Sequence, residues 1–305
     1  MAIFRPPPPN KNDNEIDPIW IPDLAKTFFG DSAPRSVDVV KNLIEHVGVE
    51  IYKFERAERK GAIPNREISR RYWVNTLGHA KIVAVSGLMR SWFWAEGVLR
   101  EGLSLNALAW ASCMRALIES AGDASHSLLP ISVVLAKNHG KIREALAGQG
   151  TPPFAFATDV NNLLQHFTFA DKGSSATNPN FIAHPPTLYV KVLAEQGVHR
   201  IEDAYARLCG LTHPSAHSVK WMRETRGDFV KIEISRSARA TLIYDVMTEF
   251  ETTFGELFMS SMNPSLCVLK VIREITGDER LAVMDSVDLG ALPIWPHLAR
   301  HLAPS

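Results

Sequence analysis

Tyr205, Arg207, His213, Ser215 and His217 form the densest run of chemically capable side chains in this sequence. A histidine titrating near its reference value of about 6.5 can carry a proton to or from a hydroxyl, and an always-charged arginine can hold a phosphate. Pro214 breaks the turn that would carry His213 and His217 round one helical face, so their spacing of four does not argue for a shared metal. A second such pair, His297 and His301, lacks the glutamate of the H-E-x-x-H pattern. No metal site and no cofactor are expected.

A second group lies far upstream. Arg115, Glu119 and Asp123 follow one another at steps of four, on a segment whose stretch from Ala107 to Ala111 has no charge at all. Charges on so apolar a helix need partners. Either they meet each other and polar groups of another element in a buried bridge, or their face lies outside in water. Arg115, Glu119, Tyr205 and His217 are read together as a supporting polar network.

The elements that position these groups are helices. Residues 1–35 carry Pro6 to Pro9, Pro18, Pro22 and Pro34, whose fixed φ and missing N–H groups predict an extended arm, with Trp20, Ile21, Phe28 and Phe29 as apolar anchors. From Ser36, the spacing of Val37, Val40, Ile44, Val47, Ile51 and Phe54 predicts an amphipathic helix that stops by Gly61. Asn65 begins a second long helix reaching about Leu99. Ser104 caps a third, ending at Pro130. Shorter helices follow over about 131–147, 158–169, 186–196 and 201–211, then a bend at Thr212-His213-Pro214 with a restart at Ser215. A turn at Arg226-Gly227-Asp228 allows one small hairpin, and the last strong helix covers about 237–261. The fold class is an all-α multi-helix bundle: arm 1–35, bundle 36–262, helical extension 263–305.

Composition narrows the rest. The 305 residues hold 33 basic and 33 acidic side chains, 46% hydrophobic and 22% charged content, so no global field draws the chain to nucleic acid or anionic lipid. Three isolated cysteines support neither a disulfide framework nor a zinc knuckle, and with no secretory signal at the amino end a cytoplasmic location is expected. Lys81, Arg90 and Glu96 interrupt the longest apolar stretch, so no membrane span is predicted. Phosphate-binding loops, dinucleotide fingerprints, nucleophile elbows and EF-hand loops do not occur.

The strings Arg115-Ala-Leu-Ile-Glu119 and Tyr205-Ala-Arg207-Leu-Cys-Gly-Leu-Thr-His213-Pro214-Ser215 resemble a group of poorly characterised bacterial helical proteins, which are similar in turn to the HEPN superfamily. The resemblance spans about residues 36–260. It implies a metal-independent ribonuclease motif, R-x(4–6)-H, carried onto Arg207 and His213, with cyclic phosphate as product and a homodimer as the working unit. It further implies an RNA-directed protein of the bacterial defence or toxin kind. Leu208 after the arginine and Pro214 after the histidine depart from the active motif. The alternative is a non-catalytic interaction or ligand-sensing module whose polar residues form a buried structural network.

For RNA, the sequence offers two basic stretches. Residues 53–71 hold seven basic against three acidic side chains, and residues 220–239 six against three. Lys220, Trp221 and Arg223 are the candidates for RNA contact, with Trp221 able to stack a base.

Overall fold

The computed structural model describes residues 20, 22–47, 54, 64–149, 154–172, 179–214, 216–226 and 228–303. The helices are α1 (Pro22–Phe29), α2 (Ala33–Val47), α3 (Asn65–Ser104), α4 (Ala107–Lys137), α5 (His139–Leu146), α6 (Phe154–Phe169), α7 (Pro186–Glu195), α8 (Ile201–Thr212), α9 (Ala216–Lys220), α10 (Arg236–Glu249), α11 (Glu251–Thr276) and α12 (Trp295–Leu302). Strands β1 (Arg223–Arg226) and β2 (Phe229–Ile232) pair antiparallel, Arg223 opposite Ile232. The fold is an all-α multi-helix bundle. No helix among the described residues is long and apolar enough to cross a membrane.

Helix α4 is the central member because its sequence leaves it no other place. Trp110, Met114, Leu117, Ile118, Leu128, Ile131 and Leu135 are fully buried along one face, and buried Ala111, Ser120, Gly122 and Ser127 widen that face to more than half of the helix surface. It packs on α3, α11, α7, α8 and α6, and α3 and α11 also pack on each other. Leu105 turns the chain between α3 and α4 in the left-handed region at φ 56°. The cap of α4 is Asn106, whose side-chain oxygen accepts from Ala109 N at 3.5 Å, rather than Ser104, which donates to Glu101 O.

Several boundaries differ from the sequence reading, each for a packing reason. Pro130 does not end α4, which continues to Lys137. Losing one helical hydrogen bond costs about 3 kcal/mol, and burial of Ile131, Leu135 and Ala136 offsets it. The segment from Pro22 to Phe29, expected to be extended, is helical, since a proline at the first helical position gives up only an N–H that has no partner there. Its Phe29 stacks on Phe258 at 4.6 Å, and Trp20 just ahead stacks on Trp92 at 3.9 Å. Residues 1–19 of the arm, and most of 48–63 with Ile51 and Gly61, lie outside the described residues.

The last strong helix is two, α10 and α11, divided at the buried Phe250. Helix α11 runs unbroken through Met262 and Asn263, where a boundary was expected, and its later half is buried in the same core.

Candidate functional site

Along α4 one stripe is less than fully buried: Arg115, Glu119, Asp123 and His126, at successive steps of four, four and three. Polar residues on one side of an otherwise apolar helix stay there only if neighbouring elements bring partners. Three elements do so.

Helix α8 covers the first part. Tyr205 Oη donates to Glu119 Oε1 at 2.7 Å, and Arg115 Nη1 donates to Thr212 Oγ1 at 3.0 Å. Arg115 Nε stands 3.5 Å from Glu119 Oε1, an ionic contact between side chains each about a quarter exposed. Arg115 Nη1 also faces His213 Nε2 at 3.4 Å. A guanidinium can only donate, so in this contact the imidazole Nε2 is the acceptor. His213 itself is exposed, on the rim of the group, because Pro214 and the extended backbone at His213 end α8 there. Burial first, and then donation to Glu119, push the Tyr205 hydroxyl well above the ordinary phenol range, so it remains a donor.

Farther along the stripe, α3 and α7 supply the partners. Arg90 Nη2 donates to Asp123 Oδ2 at 2.7 Å while its guanidinium lies 4.7 Å from the centre of the Phe167 ring. Burial, with the Asp123 charge beside it, pushes the Tyr189 hydroxyl up to about 12. Helix α7 can come this close only because residue 122 is glycine: a Cβ there would stand 2.3 Å from the Tyr189 carbonyl oxygen. Between α3, α4, α6 and α7 opens a cleft of about 320 Å³, lined among others by Arg90, Glu119, Asp123, His166, Lys172 and Tyr189. At its edge, ligand atoms of His126, His166 and His184 all lie within 4.8 Å of one another. Burial and the neighbouring imidazoles hold His126 and His184 below the usual histidine range.

The remaining candidates go elsewhere. Arg207, two residues from Tyr205 and so turned to the opposite side of α8, faces Glu249 Oε2 at 3.9 Å. It lines a second groove, of about 400 Å³, with Trp221 and Arg223 and with the carboxylates Glu233 and Asp245. Two cations face two carboxylates there, and Trp221 spends its indole N–H on Ser218 O at 3.0 Å. Lys220 is exposed at the end of α9. His217 lies over Gly210 of α8, near enough that a Cβ at that glycine would be 3.6 Å from its own. Ser215 lies outside the described residues.

Arg115, Glu119, Tyr205 and His213 are thus brought together, whereas Arg207 and His213 are engaged with different partners. Arg90, His126, His166, His184 and Tyr189 were not singled out from sequence. For His126 a signal exists in the stripe it continues; for the others, on α3, α6, α7 and the loop ahead of α7, none does. No family model, curated protein or solved structure matches this chain.

Proposed function

We propose that this chain is a non-catalytic ligand-sensing module, in which a small polar molecule enters the cleft between α3, α4, α6 and α7 and is read out through the packing of α8. The observation that carries this is the double position of Glu119. Its carboxylate lines the cleft and is at the same time the acceptor for Tyr205 and the counter-charge of Arg115. A ligand that takes a hydrogen bond or charge contact from Glu119 competes with the groups that hold α8 on α4. Differential interaction with two arrangements of one element is what a sensor requires. The size of the cleft, at the small end of ligand sites, fits a molecule of metabolite size.

The test is a thermal-shift screen of the full chain against amino acids, polyamines and nucleoside monophosphates, followed by hydrogen exchange. One class raises the melting temperature of the wild type and changes amide protection in 201–212, and Glu119→Gln removes both effects. If no compound stabilises the protein, or if stabilisation leaves the exchange of α8 untouched, the reading fails.

One observation favours a second reading, that of an RNA-directed, metal-independent ribonuclease. Exposed His213 with its Nε2 3.4 Å from Arg115 Nη1 is an arginine–histidine pair, with Arg115 in the role that the HEPN resemblance gives to Arg207. Cleavage of mixed RNAs in the presence of chelator, abolished by His213→Ala without loss of helical content, is its expected result. A homodimer belongs to this second reading and is measured by light scattering.

A further inference from the structure

We infer that His126, His166 and His184 form a binding site for a divalent first-row transition-metal ion of the zinc type. The three side chains come from three places in the fold: the α4 stripe, the last turn and a half of α6, and the loop just ahead of α7. Their ring centres are 4.5 Å apart for His166 and His184, 4.9 Å for His126 and His184, and 6.1 Å for His126 and His166. One ligand nitrogen of each lies within 4.8 Å of the others. In a tetrahedral zinc site with bonds of about 2.0–2.1 Å the nitrogens stand about 3.3 Å apart, so side-chain rotation of an ångström or so closes the set.

Two features show that the nitrogens want a partner. His166 is 93% buried, with its relative exposure at 7%, and its Nε2 has no hydrogen bond; the same holds for the buried Nδ1 of His126. Buried polar nitrogens normally have a donor or acceptor, and two of them converging on a third imidazole leave room for a shared Lewis acid instead. The backbone also holds the set. The loop carrying His184 is tied to the end of α6 by Asp171 N to Phe181 O at 3.0 Å and Ala183 N to Asp171 O at 3.2 Å. Pro185 then restricts His184 to extended geometry. At Pro130 the helical bond to the His126 carbonyl is missing, which releases one constraint on the turn that bears this ligand.

Imidazole donors alone select zinc, copper, nickel or cobalt over magnesium or calcium. Since His166 also lines the cleft, the fourth position is left to water or to a group entering from the cleft, an open coordination rather than the closed four-ligand shell of a structural zinc site. The Asp123 carboxylate, held by Arg90, stands beside the cluster and offsets part of the ion's charge.

The full chain, stripped with chelator and desalted, is titrated with zinc chloride alone by calorimetry and with cobalt chloride by visible absorption. Wild type takes up one ion per chain, and cobalt gives the strong bands of four-coordination. Loss of a direct ligand exceeds the 10–100-fold effect of losing an outer-shell partner, so His184→Ala weakens zinc by more than about 100-fold. His184 sits in a loop, so this variant keeps its helical circular dichroism even where replacing buried His166 unfolds the chain. His297→Ala/His301→Ala, which removes the other close histidine pair with ring centres 4.8 Å apart, leaves binding unchanged. Absence of stoichiometric binding, unaltered affinity in His184→Ala, or loss of binding in the carboxyl-terminal double variant overturns the site. No cleft ligand is present in these titrations, so the metal site and the ligand-sensing reading stand or fall separately.

Discussion

On the side of α8 that meets α4, Tyr205 and Thr212 close on Glu119 and Arg115 with bonds of 2.7 and 3.0 Å. On its opposite side Arg207 approaches Glu249 at 3.9 Å with both side chains well exposed. Both sides of α8 face an arginine–glutamate pair, Arg115 with Glu119 on α4 inside and its own Arg207 with Glu249 of α10 outside. What differs is solvent. Partly buried charges keep most of their mutual attraction and lose much by separation, while an exposed pair contributes about 0–1 kcal/mol. The inner face therefore determines how α8 sits, and the outer face is free to change.

The largest effect is expected where the covering of the stripe depends on close approach. Gly122→Val drives a side chain into the Tyr189 carbonyl, so α7 must move away from α4. A loss of at least about 3 kcal/mol, the upper end of overpacking penalties, should appear as a drop in urea midpoint. A variant as stable as wild type would show that the stripe tolerates uncovering.

Lys81 and Asp278 give a reference for a deeper ion pair, 2.8 Å apart, the lysine side chain only 4% exposed. Asp278→Ala removes the carboxylate facing that ammonium and should cost about 3 kcal/mol. Burial alone would raise this carboxyl, but hydrogen bonds from Arg280 and Lys81 hold it at about 2, below its ordinary 3.8. A depressed acid stabilises the fold above its unfolded value. Its contribution is thus present from neutral pH to about 4 and disappears as pH falls through about 2. Acid titration of the wild type should lose stability in that window more steeply than Asp278→Ala does.

Next come the inner residues themselves. Glu119→Ala leaves Tyr205 and Arg115 facing a gap and is expected to cost about 1–3 kcal/mol, measured by chemical denaturation. Arg115→Ala should fall in the same range. Combined in a double-mutant cycle, the two losses should be less than additive, because they share one network. The smallest effect is that of Arg207→Ala, within about 0.5 kcal/mol. A cost for Arg207→Ala equal to that of Arg115→Ala would abolish the contrast between the two faces.

How far these features could be read in advance differs from one residue to the next. The all-α architecture follows from the three- and four-residue spacing of apolar side chains, and α3, α4 and α8 lie close to where that spacing puts them. The continuation of α4 through Pro130 and the division at Phe250 do not, because both are set by what packs against them. Arg115 and Glu119 announced a need for partners by their setting on an apolar helix. That Tyr205 and Thr212 answer it, and Arg207 does not, is fixed by which side of α8 faces inward.

The polypeptide alone thus determined that the chain is helical, that α4 lies at its centre, and that the charges on α4 require company, since periodicity and apolarity are local properties written residue by residue. Only the tertiary structure decided which groups keep that company. Glu119 became part of a cleft, and three histidines from α4, α6 and a loop came within reach of one another, because helix packing joins positions 40 and 18 residues apart that no local pattern connects.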